Sequence, residues 1–284
     1  MTSFPTTRPC RTTDDIRSFF DSFTSSNTEK HGPASKLLRY RISVLRRFGK
    51  WSQQDTVVDL GCGNGHHLEV MANNIAHGIG VDVAPRMVAS ARRMTTAANL
   101  SFRVDDIETC NSLRDASADV VICTGVIEHV LRPGAVFRQI RRMLRPGGRF
   151  VVLTVNGSFW WYRLADRLGL PTRHLSSDER LTTDEAERLF AESGLEGAVA
   201  PWTFVPRGDM PNAAAFACDV SDVLGRWVSA ASLRGGLVLH GSRPAPLFSP
   251  SERDARSFLE GNGMRRRRRT SAQRAAVVSQ DGND

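Results

Sequence analysis

Hydrophobic positions recur every three or four residues in some stretches of the chain and run unbroken for four or five in others. Ile16, Phe19, Phe20 and Phe23 stand at helical spacing, and Leu38, Ile42 and Leu45 mark one face of a second helix over Ala34–Phe48. From residue 55 short apolar runs alternate with amphipathic segments. Strands are predicted at Thr56–Leu60, Ile79–Asp82, Leu100–Val104, Ala118–Cys123 and Arg149–Val155, the last after the turn Pro146-Gly147-Gly148. Between them lie helices over His67–Ala76, over Arg86–Met94 behind Pro85, and over Gly134–Leu144 with Phe137, Ile140 and Leu144 inward. Farther on, Thr182 and Glu185 fit a capping box for a helix that ends at Ser193-Gly194. Leu195–Phe204 reads as a strand, and Ala213–Ser229 as a helix with Phe216, Val220, Val223 and Trp227 in register. Leu237–Leu239 reads as a final strand bounded by Gly235-Gly236 and Pro244. Continuous apolar strands separated by helices predict an α/β fold, a parallel sheet covered on both faces.

Composition narrows the class. At 284 residues, with 40% hydrophobic and 24% charged residues, the chain can bury a sizeable core. No apolar run approaches the ~20 residues that span a bilayer. No apolar segment follows the charges at the start, so no secretory signal is expected, and the cysteine usage fits a reducing cytoplasm. Cys10, Cys62, Cys110, Cys123 and Cys218 form an odd set with no C-x-x-C pair. That argues against a disulfide scaffold or a zinc site. The net charge is +8, but six arginines fall within residues 264–274, and without them the chain carries +2. The excess is local. It reads as a solvated tail, with a contact to nucleic acid, anionic lipid or an acidic partner as the alternative.

The chemistry begins at the turn after the first strand, Asp59-Leu60-Gly61-Cys62-Gly63-Asn64-Gly65. Glycines here let the chain reverse sharply and let a ligand approach the backbone, in the crevice where parallel sheets bind ligands. The dinucleotide fingerprint G-x-G-x-x-G fails, because His66 stands at its last position. Asp59 would repel a pyrophosphate and suits a cationic ligand. Asp82, ending the second strand, can accept both hydroxyls of a ribose. Asp106, after the third strand, can reach an adenine amino group, and one of Asp105 and Asp106 reads as a plain turn residue.

Asp59–Gly65 with Asp82, Asp106, Glu128-His129-Val130 and Leu144–Gly148 resembles the class I S-adenosylmethionine-dependent methyltransferases. Cys123–Val130 and Thr154–Asn156 are similar to the ubiquinone-biosynthesis type of O-methyltransferase and its relatives in secondary metabolism. The resemblance implies a Rossmann-like, doubly wound sheet of seven strands, mostly parallel with an antiparallel last strand. It implies S-adenosylmethionine as cofactor. Asp59, Gly61, Cys62, Gly63 and Gly65 would surround the methionine part. Asp82 would hold the ribose, Val83 would pack on adenine, and Asp106 and Ile107 would meet the adenine edge. Thr124 and Gly125 would lie near the reactive methyl. Domain limits follow: a flexible terminus over 1–14, helices over 15–50 that cap the acceptor, a methyltransferase domain over 51–246, and a charged, disordered tail over 247–284.

A hydroxyl acceptor needs a base within hydrogen-bond reach. His129, beside Glu128, is the first choice, against a role in supporting the cofactor loop. His174, in the region expected to wall the acceptor site, is the second. Some relatives carry an acid that helps bind a divalent metal three residues before the Glu of this pair. Gly125 stands there, so no metal is expected. Phe159, Trp160, Trp161, Tyr162, Trp202 and Phe204 either line an aromatic or apolar acceptor pocket or pack beneath a loop. Small-molecule O-methylation is therefore expected, with N- or C-acceptors open. One rival is a nucleic-acid methyltransferase using the Arg265–Arg269 tail, but Thr124-Gly125-Val126-Ile127 lacks the Asn/Asp-Pro-Pro-aromatic signature of amine methylation. Cys123, inside an apolar strand, reads as an inert thiol. The other rival is a cofactor-binding regulator without catalysis.

Overall fold

The structure is a computed structural model that describes residues 8–23, 36–170, 172–173, 175–203, 212–228 and 230–245, with some side chains of 36–228 left aside. Contacts divide the chain into Met1–Pro244 and Ala245–Asp284. His174, Phe204 and the arginine tail lie outside the described residues.

The described helices, in chain order, are α1 (Thr13–Ser22), α2 (Lys36–Gly49), α3 (His66–Met71), α4 (Pro85–Met94), α5 (Pro133–Met143), α6 (Trp160–Arg167), α7 (Thr183–Ser193) and α8 (Asn212–Val228). The strands are β1 (Thr56–Leu60), β2 (His77–Asp82), β3 (Leu100–Val104), β4 (Ala118–Thr124), β5 (Leu144–Val155), β6 (Glu196–Trp202) and β7 (Gly236–Ser242). They form one sheet in the order β3-β2-β1-β4-β5-β7-β6. β7 runs antiparallel to both its neighbours, and the other pairings are parallel.

Alternation along the central strands feeds two cores. Val58, Leu60, Val121, Cys123, Phe150 and Val152 point into the layer held by Phe137, Ile140 and Phe190 of α5 and α7. Val57, Val120, Ile122, Val151 and Leu153 point into the opposite layer, with Leu45, Leu68 and Val88 of α2, α3 and α4. Burial on both faces is why these strands read as unbroken apolar runs.

Local signals set the element ends. Thr182 caps α7 as a capping box with Glu185, and Gly194 ends it in the left-handed region. Pro85 opens α4. Four expectations need correction. The helix after β1 is shorter than His67–Ala76: α3 stops at Met71 and tightens into a 3₁₀ turn over Ala72–Asn74. Leu144 belongs to β5, and Pro146-Gly147-Gly148 bulges out of that strand, with Gly147 at φ 79°. Trp160–Arg167 forms a helix that the apolar pattern did not single out. The apolar stripe of α8 faces outward: Phe216, Val220, Val223 and Trp227 are exposed, while the buried positions are Cys218, Ser221 and Gly225.

Candidate cofactor and acceptor site

The strand order reverses between β1 and β4, where Leu60 stands beside Cys123. The chains leaving these two strands therefore part side by side and open a crevice. The turn after β1 is held by Gly61 N–H and Cys62 N–H, which donate to Val81 carbonyl oxygen at 2.8 and 3.0 Å. Gly61 has φ 74°, and a Cβ there would lie 2.3 Å from Val126 Cγ2, so only glycine fits. Gly63, Gly65 and Gly125 also sit at positive φ. The Cys62 thiol is buried, and burial, with Asp82 and Asp59 nearby, pushes it well above the usual thiol range. It is a small turn residue, not a nucleophile. The Cys123 thiol is pushed up in the same way, first by burial.

Asp59 is fully buried, and neither carboxylate oxygen accepts a hydrogen bond. His67 Nδ1 stands 3.5 Å from its Oδ2. A buried carboxylate in this state is costly and fits a cationic group placed against it. The buried Thr124 hydroxyl at the end of β4 also lacks a hydrogen-bond partner. These unmet groups fit the ammonium end of S-adenosylmethionine.

Asp82 receives Gly63 N–H at Oδ2 and Ala84 N–H at Oδ1, 2.8 and 2.9 Å away. Burial outweighs these bonds and, aided by the charges of Asp59 and Asp21, pushes its carboxyl up to about 6. Asp105 is the turn residue of its pair: it accepts from Asp106 N–H and Ser112 N–H. Asp106 accepts from Glu108 N–H at Oδ1 and from the Thr13 hydroxyl at Oδ2. Ile107 is buried beside it.

Helix α1 lies over this edge. Arg17 Nε donates to Val83 carbonyl oxygen at 3.3 Å, and Asp21 Oδ1 accepts from Arg86 N–H at 2.9 Å, at the start of α4. Phe19 is buried against Cys10, Ile16 and Leu175, with Phe20, Phe23 and Val83 around them. Phe20 also stands 5.3 Å, ring to ring, from His129. The phenylalanine repeat thus packs, with Phe20 beside the His129 ring.

Glu128 and His129 diverge in role. Glu128 is buried, and its Oε2 accepts from the Thr154 hydroxyl at 2.9 Å. His129 Nδ1 lies 2.9 Å from Asp178 Oδ1. The other Asp178 oxygen receives Leu175 N–H at 3.0 Å. Burial pulls the His129 imidazole down, but the Asp178 hydrogen bond and the charges of Glu128 and Asp178 outweigh it and raise the group above its ordinary value.

Two residues of the site have no motif to announce them. Asp178 comes from the segment before α7. Arg41 is one of several arginines in α2, and its guanidinium would lie 3.1 Å from a Cβ on Gly125. Burial pulls it down to about 10, against the upward pull of Glu128 and Asp59. The aromatic group divides. Phe159, Trp161 and Tyr162 are buried with Cys218 in a small core of their own, and Trp160 Nε1 donates to Ser221 Oγ. Trp202 packs beside Phe48, 5.4 Å between rings, in the core on the α2 side of the sheet. These described rings thus fall in two separate clusters.

With this geometry in place, comparison with known proteins defines the class. Residues 52–194, half of the chain, match the methyltransferase domain family. The chain belongs to that family, of the class I S-adenosylmethionine-dependent type. Among curated proteins it is similar to the ubiquinone biosynthesis O-methyltransferase of Xylella fastidiosa, 31% identical over 150 residues. That stretch is 51% of this chain and 61% of the relative, so the match spans less than two thirds of the relative's length. Solved structures share the fold. A Haloferax volcanii methyltransferase in complex with the Trm112 activator aligns at TM-score 0.58 and 24% identity, covering 79% of this chain and 97% of that one. Phosphoethanolamine N-methyltransferase 2 of Haemonchus contortus, in complex with S-adenosyl-L-methionine, aligns at TM-score 0.58 and 17% identity, covering 83% of this chain and 60% of that one.

Proposed function

We propose that the chain transfers a methyl group from S-adenosylmethionine to a hydroxyl of a small-molecule acceptor, with His129 as the base. The observation that carries this reading is the His129–Asp178 pair, 2.9 Å apart, a short turn beyond the β4 end that also bears the unmet Thr124 hydroxyl. The O-methyltransferase relatives support the hydroxyl acceptor.

S-adenosylmethionine supplies a methyl on a positively charged sulfur, whose departure is favoured once a nucleophile is in line. Everything else falls to the chain. Asp59 meets the ammonium, and Arg41 the carboxylate of the same methionine part. Asp82 accepts the ribose hydroxyls, and Asp106, Ile107 and Val83 meet the adenine. Gly61, Cys62, Gly63 and Gly65 form the backbone floor, and Thr124 and Gly125 flank the methyl. Asp178 accepts from His129 Nδ1–H, which fixes the tautomer with the lone pair on Nε2. Nε2 then takes the acceptor's hydroxyl proton as the new C–O bond forms. Glu128, tied to Thr154, supports His129 by its charge and does not touch the acceptor. His174 remains a second proposed base.

The test is turnover of labelled methyl groups against cell extract. Label in small molecules, lost by ~10²–10⁴ in His129→Ala, is expected for a general base. Label in RNA overturns the acceptor class, and no label at all makes the chain a cofactor-binding regulator.

A further inference from the structure

Helix α8 is built inside out. Its buried positions, Cys218, Ser221 and Gly225, are small. They let the helix lie close to its neighbours: Trp160 Nε1 donates to Ser221 Oγ at 2.8 Å, Ser221 Oγ donates to Leu233 carbonyl oxygen at 3.1 Å, and a Cβ on Gly225 would meet Arg234 and Leu233 at 2.8 Å. Its large residues point the other way. Phe216 is 70% exposed, Val220 43%, Val223 50%, Leu224 53% and Trp227 83%.

Taking ~150–250 Å² for a fully exposed aromatic side chain and less for an aliphatic one, these five leave roughly 500 Å² of apolar surface open. That is in the upper part of the ~300–600 Å² that the largest patch of an ordinary monomer spans, a size often functional. Two such faces brought together would cover about 1,000 Å², the size at which a specific interface begins. Phe216, Val220, Val223 and Trp227 also follow a four-three-four spacing, the seam along which two helices interlock side chains. The charges within the helix, Asp219, Asp222 and Arg226, sum to an acid. A helix lying on an anionic bilayer carries a basic polar face instead.

We propose that α8 pairs with α8 of a second copy of this chain, in a two-fold interface centred on Phe216, Val223 and Trp227. In such an interface the same patch serves both partners. The site described above lies on other elements, so the pairing is independent of the methyl-transfer reading.

The test is sedimentation of the full chain across roughly 1–100 µM, which reaches weak self-association as well as strong. The expected result is a species of twice 31.3 kDa for the native chain. Phe216→Glu with Trp227→Glu should return it to 31.3 kDa while S-adenosylmethionine binding by calorimetry stays within twofold, which shows that the variant is folded. A native chain that stays monomeric overturns the proposal. So does a dimer that survives both substitutions. A chain ending at residue 245 that pairs when the full chain does not would assign the face to the tail, and a monomer that co-sediments with anionic vesicles would assign it to lipid. Either result also refutes the two-fold pairing.

Discussion

Lowering the pH should weaken cofactor binding through one group, Asp82. Its carboxyl is pushed up to about 6 because burial penalises the charge more than Gly63 N–H and Ala84 N–H relieve it. The sign has two parts. In the free fold, ionising Asp82 costs stability, so this group's contribution is full below the ordinary carboxylate range and is lost as pH rises through about 6. Binding, in the role proposed for Asp82, runs the other way, because only the carboxylate can accept two ribose hydroxyls while holding two amides. At pH 5 the acid must first lose its proton, and affinity should be about tenfold below that at pH 7.5. Calorimetry of S-adenosylhomocysteine at several pH values measures this slope. Asp82→Asn offers one acceptor oxygen where Gly63 and Ala84 need two. It should lose roughly 2–3 kcal/mol of binding at pH 7.5 and flatten the slope. His129, raised above its ordinary value, also lies in this part of the fold, so His129→Ala serves as a control that keeps the slope. An affinity unchanged from pH 7.5 to 5, or a slope that survives in Asp82→Asn, refutes the reasoning.

Arg41→Gln should weaken cofactor binding by roughly 1–3 kcal/mol, since Asp59 and Glu128 lose their shared buried cation and the ligand carboxylate its partner; calorimetry checks it. Asp178→Asn removes the charge that raises His129 and leaves one acceptor oxygen for both His129 and Leu175 N–H, so the acid limb of the kcat–pH profile should move to lower pH while kcat falls roughly 10–10²-fold; an unmoved limb removes Asp178 from the pair. Gly61→Ala forces a side chain onto a positive φ and into Val126. A loss of ~2–4 kcal/mol, seen as a melting temperature lower by ~5–10 °C, is expected; an unchanged melt would mean that Val126 moves aside freely.

The sheet was legible because both its faces are covered. Where a strand is buried twice, as at Val57–Leu60 and Val120–Cys123, the sequence has no room for polar alternation, and the run stands out. The glycine turn was legible for a different reason: positive φ at Gly61, Gly63 and Gly65 admits few other residues. Asp178 and Arg41 were not legible. Each reaches the site from a distant element, and neither a lone Asp in a polar segment nor one arginine among several in α2 carries a pattern. Only the fold, which sets α2 and the segment before α7 beside the end of β4, gives them meaning. α8 misled for a physical reason too. An apolar stripe predicts a helix and its phase, yet it does not say whether the stripe meets its own core or another molecule. The small residues show which side of α8 meets its own chain: Ser221 and Gly225 lie close to Trp160, Leu233 and Arg234, while Phe216 and Trp227 are exposed.

The cover over the crevice follows from the same economy of charge. Asp59, Asp82, Asp106, Glu128 and Asp178 bring five acids toward one end of the sheet, against Arg41 and the two imidazoles of His67 and His129. Solvent would screen that imbalance and weaken its hold on a cation. Helix α1 is anchored by Thr13 on Asp106, Arg17 on Val83 and Asp21 on Arg86, residues at and beside the proposed nucleoside edge, and its Phe20 lies beside His129. A cover that grips the residues proposed to hold the nucleoside ties water exclusion to cofactor binding, so the acids attract a positive sulfur most strongly when the base is also shielded.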